Sequence, residues 1–490
     1  MIRRAVGAFV MLLVAGVPRT ARAQVSAPAS AADTMLVALD SFLERVRRTH
    51  PLARQADLTE RQVRADALAA RGAFDPYVAA TWDYKRFKGI GYYDELDAKV
   101  VLPTPWGVDV KVGWERAAGQ IINPERATPD NGLLSAGISL PIGPRIFADE
   151  RRTSLRQAEL AEAAAEAERD GAIVRLLQGA ARDWGAWYEA EARAEIARDG
   201  VALARFRFDA TRRRVAAGDA AAIDSIEALA ELERRLVSES EARAAAASAR
   251  LTVVGYLWTR EGAPETPTAA LRPVDPFADG AMSVPAIGEA AIARAVAVHP
   301  TVQSARARFL QADAQRRLVA TQVLPSASLD VSALAPGRSL GDLPGFDAIE
   351  DDAKAGASLK LPLLMRRELG RWRAATQRAQ VLGWERDRAQ RDVRLAVERA
   401  LVDLSAVDEQ AERQARVVSA SEALLAAEVR RFEIGESSLL IVNLRERALL
   451  DERQRRATIA ARRASAMGAL AAAMGSAQIL IGETANPAAR

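Results

Sequence analysis

The sequence predicts a mainly helical protein with a β-barrel portion, built from two copies of one plan. Three observations carry this. The composition is rich in Ala, Leu, Glu and Arg and only 5 % aromatic, which suits long, closely packed helices. Two helical stretches, about 146–216 and 365–433, far exceed an ordinary globular helix. Several short segments alternate apolar and polar residues with a period of two.

The N-terminus comes first. Arg3 and Arg4, an apolar run from Ala5 to Val17 and the small-x-small site Ala21-Arg22-Ala23 read as a secretory signal peptide over 1–23. That segment holds four Arg and no acid, so the remaining chain carries 64 basic and 64 acidic residues, net zero. Nucleic-acid binding thereby loses its electrostatic support. No later stretch approaches ~18 consecutive apolar residues, so entry into a membrane would require a β-barrel. The chain has no Cys, which excludes disulfides, thiolate metal sites and a lipid anchor on cysteine. With two His in 490 residues, an imidazole-based metal or catalytic site is not expected, and no cofactor is.

The two copies follow from four ordered anchors. Thr49-His50-Pro51 matches Val298-His299-Pro300, and Pro76 matches Pro325, each pair 249 residues apart. Leu140-Pro141-Ile142 matches Leu361-Pro362-Leu363, and Gly218 matches Gly435. An ordered set of this kind points to internal duplication. The expected plan is a first repeat over 24–258, with a helix over about 37–73, β-strands within 77–141 and helices 146–216 and 220–258. A Pro-rich linker follows over 259–286. The second repeat covers 287–475, with a helix to about 323, β-strands within 326–361 and helices 365–433 and 437–474. A tail covers 476–490.

Within each copy the helix is broken at Pro51 or Pro300, because proline lacks a backbone donor and restricts the residue before it. Each long stretch would make a rod of ~100 Å. The two shorter helices of a copy sum to a comparable length and could run beside it. Two adjacent stripes, Ile223/Ile226/Ala230 and Leu229/Leu232/Leu236, give the following helix neighbours on two sides, as in a closed ring. In the β segments, Val78, Ala80, Trp82 and Tyr84 share a face, as do Ala327, Leu329, Val331 and Ala333. Each opposes polar residues, which fits a soluble sheet or a water-filled barrel. One copy has too few strands to close, so a barrel requires several chains. The first copy also holds an extra hairpin pattern over 94–116, either projecting from the membrane or adding barrel strands.

This order resembles the TolC family of outer-membrane efflux proteins. The carriers are the duplicated His-Pro segment (the family usually has Asn-Pro), Pro76 and Pro325, the Leu-Pro pairs before the long helices, and the turns Val215-Ala-Ala-Gly218 and Phe432-Glu-Ile-Gly435. The resemblance covers nearly the whole chain beyond residue 23. It implies a homotrimer whose four barrel strands per chain close a barrel of twelve strands in the outer membrane; the extra hairpin would raise the strands of each chain to six. The helices would form a tunnel through the periplasm. It implies a passive duct working with a periplasmic adaptor (a membrane fusion protein) and an inner-membrane transporter. Outer-membrane lipid surrounds it and no nucleic acid takes part.

The resemblance also implies roles for particular residues. Gly218 and Gly435, with Arg214 and Arg431 beside them, would be adaptor-docking tips. A partnerless turn and a solvated arginine run are the plainer alternative. Asp224 and Glu227 share a helix face at i and i+3 and stand where family members carry aperture carboxylates. In a ring they would favour cations. The second copy has Ile441 and Leu444 at the matching positions, which leaves the site of any gate open. Gly89-Ile-Gly91 lacks the third Gly and following helix of a dinucleotide loop. No nucleophile–base pair or metal cluster is legible, so no enzymatic activity is expected. A soluble periplasmic coiled-coil scaffold is the main competing class. A secreted hydrolase is the other, and it lacks a motif.

Overall fold

The computed structural model describes residues 34–143, 146, 148–266, 270–277, 287–337, 339–345, 349–361, 363–434 and 436–481. The expected signal peptide, Pro362, Gly435, part of the linker and the end of the tail lie outside these residues. Strand β1 (Thr34–Val37) leads into α1 (Leu39–Thr49) and α2 (Pro51–Arg71). Strands β2 (Tyr77–Phe87), β3 (Ile90–Pro103), β4 (Asp109–Ala118) and β5 (Leu133–Ile142) follow. Then come α3 (Glu150–Ala216), α4 (Ala222–Val254) and β6 (Ala270–Pro273). The second half runs α5 (Glu289–Val298), α6 (Pro300–Gln322), β7 (Ser326–Pro336), β8 (Ala353–Lys360), α7 (Arg366–Glu433), α8 (Leu439–Met474) and α9 (Gln478–Ile481). The two halves thus present the same order of main elements, with one β-hairpin more in the first.

The long helices hold 67 and 68 residues, each ~100 Å at ~1.5 Å per residue. Helix α3 packs against α2 towards one end and α4 towards the other, and α7 packs likewise against α6 and α8. The shorter helices therefore flank the long ones in sequence, as their lengths suggest. The halves meet where α3 packs on α6 and α8. Small residues set this approach. A Cβ built on Gly185 of α3 would stand 2.7 Å from the Ala461 carbonyl oxygen of α8, and one on Gly468 would stand 3.1 Å from the Ala181 Cβ. Only helices lined with Gly and Ala come this close.

The core sits halfway along α3. Trp184, Trp187 and Leu177 of α3 are buried there with Phe42 and Leu43 of α1, Met467 and Leu470 of α8, Val397 of α7 and Leu480 of α9. The parallel pair β1–β6 closes over the same region through Leu271. Burying each such side chain is worth ~1.5–3 kcal/mol, so this waist anchors rods that have little else around them.

The other six strands form one antiparallel sheet in the order β2-β3-β4-β5-β7-β8. The count is six, not the four that twelve barrel strands from three chains would require. The hairpin over 94–116 is not a projecting arm: β3 and β4 bond along their lengths between β2 and β5. The turn into it is made by Lys88 and Gly89, both at positive φ, the geometry of a two-residue hairpin turn. That is the place of the Gly89-Ile-Gly91 motif.

Candidate functional site

The helical rods end in two tight turns of matching geometry. In the first, Gly218 adopts φ +77°, a conformation that costs a residue with a Cβ ~1–2 kcal/mol. Its N–H donates to the Val215 carbonyl at 3.1 Å, and the Asp219 N–H donates to the Arg214 carbonyl at 2.9 Å. In the second, the Glu436 N–H donates to the Arg431 carbonyl at 2.9 Å. Arg214 reaches the Asp219 carbonyl at 3.4 Å, and Arg431 reaches the Glu436 carbonyl at 3.5 Å. Each arginine therefore closes its own turn while its side chain stays exposed. Gly435 lies outside the described residues. Around Gly218 a Cβ would meet nothing within 4 Å, so the first tip is open on its outer side.

Asp224 and Glu227 lie just beyond this tip on the exposed first turns of α4. Asp224 is already engaged: its carboxylate accepts the Ala221 N–H at 3.3 Å, one of the donors a helix start leaves unpaired. Ile223 and Ile226 beside it are 63 % and 64 % exposed. In the second copy Leu440 and Leu444 are open in the same way. Each tip therefore pairs charge with uncovered apolar surface.

A charged cluster that sequence reasoning did not single out ties the helices together above the tips. Glu231 of α4 accepts from Arg234 at 2.8 Å, Arg235 at 3.0 Å and Arg447 of α8 at 2.7 Å. Arg207 of α3 pairs with the buried Glu446 of α8 and donates to Asn443. Burial raises the Glu446 pKa, and the Arg207 guanidinium opposes that. The links from Glu231 to Arg447 and from Arg207 to Asn443 and Glu446 join residues more than 200 apart in the chain, and no local spacing reveals them.

His50 and His299 do more than precede a proline. Each Nδ1 accepts the N–H of the second residue of the following helix, from Leu52 at 3.2 Å and from Thr301 at 3.1 Å. The imidazole thus caps the helix as Asn or Asp would, and Pro51 and Pro300 occupy the first helical position, where no donor is missed. The His299 Nε2 lies 3.1 Å from the Ala472 carbonyl. That partner fixes a neutral ring with its proton on Nε2. Burial lowers the pKa of both imidazoles. Among the described residues no cluster of His, Asp and Glu could hold a metal.

At the opposite end, the register sorts the sheet into two faces. Val78, Ala80 and Trp82 of β2 lie opposite Val100, Ala98 and Leu96 of β3. These continue into Val112 and Trp114 of β4, Ala136 and Leu134 of β5, Ala333 and Ala335 of β7 and Ala353 of β8. The other face carries Asp97, Lys99, Lys111, Glu115, Asp330 and Lys354, with Lys111 3.0 Å from Asp330 and Lys354 3.4 Å from Glu115. Trp82 and Tyr84 stack at one margin of the apolar face. Trp106, 76 % exposed, stands in the turn at the other margin. Apolar-out, polar-in strands edged by aromatics are the pattern of membrane barrels. No described helix is long and apolar enough to cross a membrane.

Residues 291–476, from α5 past the end of α8, match the family model of the outer membrane efflux protein. This segment, the second half of the chain, is similar to outer membrane efflux proteins. The resemblance read from the sequence is thus borne out. The fold of the chain also aligns along nearly its whole length with solved structures. One is CusC, from work on its folding and transmembrane channel formation (TM-score 0.63, 14 % identity, covering 89 % of this chain and 92 % of that one). Another is the outer membrane protein VceC from Vibrio cholerae (0.61, 16 %, 89 % and 96 %). A third is the open state of the MtrE outer membrane channel from Neisseria gonorrhoeae (0.61, 18 %, 89 % and 89 %). At such identities the likeness is one of fold. No curated protein sequence matches this chain.

Proposed function

We propose that the chain is the outer-membrane channel of a tripartite efflux or secretion system. It acts as a passive trimeric duct through the outer membrane and periplasm, with a periplasmic adaptor at its tips and an inner-membrane transporter supplying the energy. The observation that carries this reading is the six-stranded sheet with an apolar face, mounted on rods of ~100 Å in a chain whose residues 291–476 match the efflux-protein model. A soluble scaffold gives no use for that face or for its aromatic margins.

Assembly follows from what one chain leaves open. Helix α4 has α3 as its main neighbour; Leu232 is buried against Val201 and Ala204 there, while Ile223, Ile226 and Val237 are exposed. On the far side of the chain, α7 exposes Val417 and Leu424 at a matching height. Two different apolar flanks on opposite sides favour head-to-tail contacts, which close into a ring. The adaptor would meet the turns around Gly218 and Gly435, with Arg214 and Arg431 available to its acidic groups. Asp224 and Glu227 would stand near the aperture.

Membrane fractionation combined with crosslinking tests this. The chain is expected in the outer-membrane fraction, released only by detergent. A photo-reactive residue at Arg214 or Arg431 is expected to crosslink the co-expressed adaptor, whereas one at the waist is not. Release without detergent would overturn the channel reading. Crosslinking at the waist but not at the tips would overturn the docking assignment.

A further inference from the structure

We infer that the membrane wall of this channel carries eighteen strands, six from each of three copies, where four strands per copy would give twelve. The inference deepens the trimeric-channel reading and rests on it. Strands β7 and β8 of the second half pair directly with each other. Their counterparts in the first half, β2 and β5, do not touch: β3 and β4 stand between them. A twelve-stranded wall made of β2, β5, β7 and β8 needs β2 bonded to β5. Instead β2 bonds β3 from Tyr77 to Phe87, and β5 bonds β4 from Leu133 to Ser139. Lipid offers no substitute partners for strand edges opened by removing the hairpin.

The inserted hairpin also has the surface of a wall. Leu96, Ala98 and Val100 of β3 and Val112 and Trp114 of β4 extend the apolar face, with Arg116 opposite Leu96 at its margin. On the polar face, Lys111 of β4 pairs over β5 with Asp330 of β7, and Glu115 of β4 pairs over β5 and β7 with Lys354 of β8. A hairpin standing clear of the membrane would carry neither feature. The two outer edges of the sheet, on β2 and β8, have no partner among the described residues. Strand direction alternates through all six strands, so β8 of one copy meets β2 of the next antiparallel. Three copies then close the wall with every edge paired, and the occupant of each edge is a second copy of this chain.

The geometry separates the two counts. With strands ~4.8 Å apart and tilted ~40°, twelve strands give a radius of ~12 Å and eighteen give ~18 Å. Four helices per copy, spaced ~9 Å, form a ring of twelve with a radius of ~17 Å. The wider wall therefore sits on the helical tunnel without a step.

The test is a distance between symmetry-related positions. The chain has no native cysteine, so Ala355→Cys on the exposed apolar face of β8 gives one spin label per copy. Dipolar spectroscopy in lipid discs, on particles of measured mass, reads the separation. Backbone positions lie ~31 Å apart in an eighteen-stranded trimer and ~21 Å apart in a twelve-stranded one, and the outward label lengthens both equally. The longer distance is expected. The shorter distance in a three-chain particle would overturn the strand count and leave the channel standing. A particle that is not a trimer would overturn both.

Discussion

At the scale of single residues, packing and capping make distinct demands. Gly185 is required by the closeness of α8. Gly185→Ala puts a methyl against the Ala461 carbonyl, and relieving that overlap costs about 1–3 kcal/mol, more than the gain in helix propensity. A lower thermal midpoint in detergent is expected, and an unchanged one would show that the helices part freely. His299 is a neutral cap. The unfolded imidazole titrates near 6.5 and the folded one lower, so the unfolded chain binds the proton first as pH falls. Stability from this residue is therefore complete above about pH 6.5 and is lost as the pH drops below it. His299→Ala is expected to cost about 0.5–2 kcal/mol at neutral pH. His299→Asn is expected to keep the cap and flatten the acid slope, as read by melts from pH 5 to 8. The break at Pro300 was legible in the sequence, because proline acts locally. The cap was not, because His is an uncommon choice for it and its second partner, Ala472, lies 173 residues away.

At the scale of elements, the first turn of α4 gives two neighbouring carboxylates separate tasks. Asp224→Ala removes the acceptor for the Ala221 N–H and is expected to speed amide exchange over 221–225. Glu227→Gln leaves that cap untouched. In the channel reading it shifts ion selectivity away from cations, measured as a reversal potential across a bilayer. Faster exchange in Glu227→Gln, or no change in selectivity, would remove Glu227 from the aperture. Helix lengths and order were readable because 3–4 spacing and proline breaks are local signals. The long rods begin at 150 and 366 where the sequence suggested 146 and 365. The strand count was only half legible. Alternation in 96–114 marked a hairpin, but its place between β2 and β5 depends on pairing that no local pattern encodes. The Arg207–Glu446 and Glu231–Arg447 links stayed hidden for the same reason.

At the scale of the whole molecule, one chain is an incomplete object. Among the described residues its sheet ends on two unpaired edges and its helices on two apolar flanks, and the one substantial core is the waist around Trp184 and Trp187. In the proposed assembly three copies arranged head to tail would cover all of these at once, and the outer membrane would cover the apolar face. The central claim is therefore that the working unit is a membrane-embedded trimer. The most direct measurement is the detergent-corrected mass of the particle extracted from the outer-membrane fraction, by light scattering on a sizing column. Three chains per particle, recovered only with detergent, is the expected result. A single chain, stable in solution without detergent, would contradict it.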